Sequence, residues 1–343
     1  MEKVLITGAN GFIGSHVAEL FVSKGYHVGC LVRKDSNLDN IKDLDINIHY
    51  SDIRDEKNVT ASLKDYDSVI HVAAMAKDWG KYDDFYEINV EGTLNVLKAC
   101  KENKINQIIL TSSCSVYGEE NTNTVKNEKS PLNSHYNYFL DQIFPCRMNY
   151  YRDTKRIAKE KAIIFAKENN LNVSFIEPVW VFGEREFNTG FYEYIKTAKE
   201  KIPFLPGSKK NNFHIIYVKE LARAYLLAIE KKLKDIHSFL IGNNKVDKME
   251  YIYTLFCKEA GFKKPRNLPQ WLIYPIGFFL EFIYTFFNCK NPPILTRSRV
   301  KMFYDNIEYS TKKANEILKF ESEYDLKESI KKTVDWYKNN NLL

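Results

Sequence analysis

The sequence lacks several features that would each have pointed to a specialised protein. Its six cysteines, Cys30, Cys100, Cys114, Cys146, Cys257 and Cys289, form no CxxC pair and keep no regular spacing, which speaks against a zinc site and a disulfide framework. His71 and His214 have no His, Cys or carboxylate neighbour at metal-ligand spacing, so structural histidines and no metal are expected. The opening residues, MEKVLITGANGF, contain no basic segment leading to an apolar stretch and a cleavage site; a cytoplasmic protein is expected. Charge is not concentrated either. The net +6 comes from 50 basic and 44 acidic residues, and the lysine pairs Lys209-Lys210, Lys231-Lys232 and Lys331-Lys332 are short, which excludes nucleic acid as the expected partner. No internal repeat is visible.

What is present is a globular composition, 44% apolar and 27% charged over 343 residues, long enough for one large domain and a smaller lobe. Val4 to Ile6 reads as a strand ending in Thr7-Gly8, and an amphipathic helix follows from Gly11 to Lys24-Gly25. The alternation continues with strands His27 to Val32, Ile46 to Tyr50, Ser68 to Val72, Gln107 to Thr111 and Val173 to Glu177. Helices are expected at Lys57 to Leu63, Phe85 to Asn103 and Tyr150 to Asn169. This rhythm predicts an α/β fold, a Rossmann-type doubly wound parallel sheet. The polar stretch EENTNTVKNEKSPLNS after Gly118 reads as a loop over the active-site edge. Residues 1–178 form the expected nucleotide-binding domain, with 212–242 partly returning to it through strands Phe213 to Val218 and Ser238 to Ile241. Residues 179–211 and 243–343 form the substrate lobe.

Between the first strand and first helix lies a GxxGxxG turn, Gly8, Asn10, Gly11, Phe12, Ile13 and Gly14 included. Glycines there let the backbone approach a pyrophosphate, which the helix N-terminus attracts. NAD would require an acidic residue at the end of the second strand to hold its ribose hydroxyls; the strand instead ends in Arg33-Lys34, which favours NADP(H) and leaves NAD(H) open. Tyr151 and Lys155 are four apart and share a helix face. Ser113, in Thr111-Ser112-Ser113 at a core-strand end, can meet them beside the cofactor. A free tyrosine titrates near pH 10, and the Lys155 ammonium would stabilise its phenolate. Tyr150 lies about 100° around the helix from Tyr151 and is the poorer proton donor.

With TGANGFIG, SDIRD, HVAA, INVEGTLNVL, TSSCSVYG, Tyr151-x-x-x-Lys155 and FHIIYVKELARA in place, the chain resembles the extended short-chain dehydrogenase/reductase family over nearly its whole length. The resemblance implies Asp52 and Ile53 at the adenine, Ala73 and Ala74 under the pyrophosphate and ribose, and Asn89 supporting the framework. It also places Pro178 and Val181 among the cofactor contacts, makes Ser113 the catalytic hydroxyl, and implies a homodimer paired through the helices near Phe85 and Tyr150.

Dehydratases of this type carry an Asp-Glu pair where this chain has Cys114 and Ser115, which speaks against elimination. Hexose epimerases carry Asn where this chain has Glu177, and a carboxylate there would repel a nucleotide diphosphate. AAMAKDWGKYDDFYEINVEGT and PVWVFGE resemble the 3β-hydroxysteroid dehydrogenase branch and 2-alkyl-3-oxoalkanoate reductases, implying a small hydrophobic alcohol or ketone as substrate. A nucleotide-sugar epimerase is the second reading and a non-catalytic dinucleotide sensor the third. The run Trp271 to Phe287, with Glu281 its only charge, fits a buried lobe helix, a substrate-channel wall or a segment dipping into a membrane. A lobe helix walling an apolar pocket is the favoured reading, peripheral membrane contact the lesser one.

Overall fold

The computed structural model describes residues 2–118, 124–186, 190–208 and 210–343. Residues 119–123 of the expected polar loop and Lys209 of the first lysine pair fall outside these. In chain order the elements are β1 (Lys3–Thr7), α1 (Phe12–Ser23), β2 (His27–Val32), β3 (Ile46–Tyr50), α2 (Glu56–Ser62), β4 (Ser68–His71), α3 (Tyr82–Tyr86), α4 (Gly92–Glu102), β5 (Gln107–Thr111), α5 (Met148–Glu168), β6 (Val173–Pro178) and β7 (Trp180–Phe182). Then follow α6 (Gly190–Lys199), β8 (Phe204–Pro206), β9 (Asn212–Phe213), β10 (Ile215–Tyr217), α7 (Val218–Lys231), β11 (Ile236–Ile241), β12 (Asp247–Lys248), α8 (Met249–Ala260), β13 (Arg266–Leu268), α9 (Gln270–Phe286), α10 (Arg297–Met302) and α11 (Leu326–Asn339).

Seven strands form one parallel sheet in the order β11-β6-β5-β4-β1-β2-β3. Its central strands are apolar on both faces because helices cover both: α1 and α7 pack on one side, α2, α4 and α5 on the other. The chain winds outward from β1 to β3 and then returns to β4. The strand order therefore reverses between β1 and β4, and the crevice beyond their C-terminal ends is where such sheets bind ligands.

Two expectations are corrected by this topology. Residues 213–218 do not rejoin the large sheet: β10 pairs with β7, and β9 with β12, in separate two-stranded ladders. Only β11 returns, beside β6. The expected continuous helix from Phe85 to Asn103 is interrupted by a π turn at Glu87–Glu91. There the side chain of Asn89 is drawn inward, accepting from Met75 N–H at 2.8 Å and donating to Thr154 Oγ1 at 3.1 Å. Sequence period alone does not register such a bond between separate segments.

Candidate active site

The glycine turn is shaped by contacts that no side chain could share. Gly8 has φ +68°, and a Cβ on it would lie 2.8 Å from the Ala73 backbone; one on Gly14 would lie 2.2 Å from Gly8 O. The turn thus closes on itself and on the chain leaving β4. Gly11 heads α1 without a side-chain cap, leaving helix N–H groups available to an anion. This bare, anion-attracting cradle fits the pyrophosphate of a dinucleotide. Asn10 joins it to the loop after β2: its side chain donates to Asn37 O, and Asn40 donates to Asn10 O. Arg33 and Lys34 stand exposed at the start of that loop, with Arg33 3.8 Å from Asp35. Asp52 is clasped by Arg54, whose hydrogen bond holds its carboxyl below the usual range. Ile53 is buried against Gly92.

Beyond the cradle a cleft of about 270 Å³ opens to solvent, and its lining brings together Ser113 after β5 with Tyr151 and Lys155 from α5. Phe12, Ile13, Ala74, Thr111, Ser112, Pro178 and Val181 line the same cleft. Gly8, Asn10, Gly11, Gly14, Arg33, Lys34, Asp52, Ile53 and Ala73 lie outside its lining, as does Asn89, whose amide is committed to Met75 and Thr154. Asn89 therefore acts on the frame and not by contact within the cleft.

The buried stripe of α5 explains how lysine reaches the interior. Lys155, Ala158, Lys159, Ala162 and Ala166 recur at three- and four-residue intervals on the sheet-facing side, where the alanines let the helix approach closely. Lys155 donates to Thr111 O at 2.6 Å, and burial lowers its pKa to about 8. Ser113 Oγ accepts from both the backbone N–H and the hydroxyl of Ser115, at 3.2 and 2.9 Å, which leaves its own proton for an oxygen in the cleft. Ser112 Oγ is buried with no partner among the described residues. Tyr150 points elsewhere, packing edge-on against Tyr82 and Phe85.

One sequence argument falls here. Glu177 does not project a bare carboxylate toward a ligand: it is fully buried behind the cleft, 2.6 Å from Lys159 Nζ and 2.6 Å from Tyr117 OH. Burial pushes its carboxyl up while Lys159 pulls it down. A neutralised, enclosed acid cannot repel a diphosphate.

The expected apolar wall is also overturned. No residue of α9 lines the cleft; its place is taken by Ser298, Arg299 and Met302 from α10. Sequence reasoning missed Arg152 and Arg299. Arg152 lines the cleft next to Tyr151, buried under Tyr138, to whose hydroxyl it donates at 2.8 Å. Arg299 is tied to Asp78 at 2.6 Å. The available signal was the place of Arg152 between Tyr151 and Lys155, on a helix already assigned to the site. His71 is enclosed by Thr7 and Thr93, and His214 by Asn243 O and Tyr309 N–H; both rings are satisfied within the frame.

Comparison with known proteins agrees with this fold. Residues 4–242 match the family described as NAD dependent epimerase/dehydratase. The 2-alkyl-3-oxoalkanoate reductase of Shewanella oneidensis is 24% identical over 87% of this chain and 76% of its own. The decarboxylating sterol-4-alpha-carboxylate 3-dehydrogenase of Mus musculus is 24% identical over 97% and 90%. Among solved structures, gox2253 superposes with a TM-score of 0.81 at 24% identity, covering all of both chains. The UDP-glucose 4-epimerase of Thermotoga maritima, solved with UDP-glucose, gives 0.77 at 21%, covering 99% of each.

Proposed function

The chain belongs to the NAD dependent epimerase/dehydratase family, as an enzyme of the extended short-chain dehydrogenase/reductase type, and from that premise we propose that it interconverts a secondary alcohol and a ketone on a hydrophobic substrate. The observation that carries this reading is the convergence of Ser113, Tyr151 and Lys155 in one cleft whose other walls are largely apolar. The bound nicotinamide would supply or accept the hydride. In this reading the Ser113 hydroxyl donates to the substrate oxygen and orients it. Tyr151 passes the proton to or from that oxygen, and the Lys155 ammonium favours the phenolate and holds the nicotinamide ribose. The exposed Arg33 and Lys34 meet a ribose 2′-phosphate, which makes NADP(H) the preferred cofactor.

The two named relatives share one substrate pattern: an oxygen on carbon 3 and a carboxylate attached to the neighbouring carbon. Lys77, Arg152 and Arg299 line the cleft with Lys155, and Arg152, next to Tyr151 in the chain, is the cation assigned to such a carboxylate in this reading, so a sterol-like or long-chain 3-oxo or 3-hydroxy acid is the substrate class. The test is NADPH oxidation against a panel of 2-alkyl-3-oxo acids, cyclic 3-oxo acids and their esters. The acids should turn over, and Tyr151→Phe should lower kcat/KM by about 100-fold or more. Full activity in Tyr151→Phe overturns the proposed role of Tyr151, whereas cofactor binding with no turnover of any substrate in the panel favours the third reading, a dinucleotide sensor without catalysis. Nucleotide-sugar epimerisation is kept as the second reading because Lys159 neutralises Glu177. Conversion of a UDP-hexose without net cofactor change would promote it.

A further inference from the structure

The helix α9 is inside out. Its buried stripe, Ile273, Gly277 and Glu281, carries the glycine and the only charge, while its outward side carries the aromatic and branched residues. Trp271 is 76% exposed, Phe286 73% and Phe287 71%. The segment at 139–143 extends the same surface: Phe139 and Phe144 pack edge-on against Phe278, and Ile143 is 83% exposed. Eleven of the nineteen exposed large apolar side chains among the described residues come from these two segments. Monomeric soluble proteins rarely leave so concentrated an apolar area to water.

This surface is held rigidly. Glu281 and Arg297, both buried, meet at 2.9 Å, and the same guanidinium donates to Phe139 O at 2.5 Å and to Phe144 O at 2.8 Å. One arginine thus ties α9 to the 139–144 segment. Its neighbours on α10, Ser298 and Arg299, line the cleft, so the apolar surface borders the substrate site.

Charge identifies what covers it. Between Gly261 and Val300 the exposed charged side chains are Lys263, Arg266 and Lys290, all cationic, and the only acid is the buried Glu281. In the 139–147 segment the only acid, Asp141, is buried and bonded to His135. Cations therefore stand at both ends of an apolar helix. A second copy packed on this face, parallel or antiparallel, would oppose cation to cation. An anionic lipid surface satisfies apolar and basic groups together. At seventeen residues α9 is about 25 Å long, short of the roughly 30 Å hydrocarbon core, and no helix among the described residues is long and apolar enough to cross a membrane.

We propose that the outward face of α9, with residues 139–143, lies flat in an anionic lipid surface and presents the cleft mouth to it. The inference goes beyond the reaction assigned above and does not depend on it. The test is co-sedimentation of the full-length protein with vesicles of phosphatidylcholine alone and of phosphatidylcholine mixed with phosphatidylglycerol. The protein should partition about ten-fold more strongly onto the mixed vesicles, and high salt should weaken that preference. The variant Trp271→Ser/Phe279→Ser/Phe286→Ser/Phe287→Ser alters only exposed side chains and should lose partitioning by about ten-fold or more. Vesicles should also blue-shift the tryptophan emission of the unaltered protein, and Trp271→Phe should remove that shift. The catalytically impaired Tyr151→Phe should bind vesicles like the parent, which separates this proposal from the proposed reaction. Failure of the unaltered protein to sediment with either vesicle overturns the proposal. So does self-association that the polar variant abolishes, which would make a second copy the occupant.

Discussion

Lys155 and Lys159 stand one turn apart on the same buried stripe, one at the floor of the cleft and the other directly behind it. The first ends on a backbone carbonyl, Thr111 O, with no carboxylate bonded to it among the described residues. The second ends in a closed set with Glu177 and Tyr117. Lysine burial costs free energy in both places, and the two sites answer that cost differently. Behind the cleft a matched acid offsets it. At the floor it remains outstanding, and a poorly compensated ammonium is what a reactive site can direct toward a phenolate. An unfavourable local arrangement is thus confined to one helical turn, with a stable counterpart beside it.

The largest effect that would break the comparison is catalytic. Lys155→Met should reduce kcat/KM by about 10²–10⁴-fold while leaving the folded state at least as stable as the parent; steady-state kinetics and urea unfolding check both halves. Next is Lys159→Met. It should cost about 3–5 kcal/mol of stability in urea unfolding, because it strands a buried carboxylate, and adding Glu177→Leu should recover most of the loss.

The smallest effect sharpens the contrast through pH. Unfolded, Lys155 keeps its proton to about 10.5, whereas folded it releases it near 8. Between those values the unfolded chain binds more protons, so this group's contribution to stability improves as pH rises. Below pH 8 the full penalty applies, about 3 kcal/mol. The parent should therefore be less stable than Lys155→Met at pH 7, and urea midpoints should show that gap closing as pH approaches 10.

These contrasts also show what the sequence could convey. The glycine turn, the parallel strands and the Tyr151–Lys155 spacing are local, since each is fixed by backbone geometry or helical period over a few residues. Lys159 also sits at a legible spacing, but its partner Glu177 comes from a neighbouring strand, and only the assembled sheet shows that the two cancel. The same holds for Asn89, whose bond to Met75 accompanies the π turn. In α9 the sequence displays hydrophobicity without displaying whether anything is left to pack on it. The buried stripe takes Gly277 and Glu281, the latter because Arg297 waits for it, and the aromatics are turned outward.

The cysteines bear on the molecule's chemical lifetime. Five of the six are buried free thiols. Burial pushes Cys30 up to about 12 and Cys257 to about 11, and raises Cys100 and Cys146 as well. Only the thiolate is rapidly oxidised or alkylated, so these four thiols are poor targets for peroxide and electrophiles. Cys289, just beyond α9 and partly accessible, and Cys114, in the cleft lining, are the thiols at which oxidative ageing of the native protein would begin.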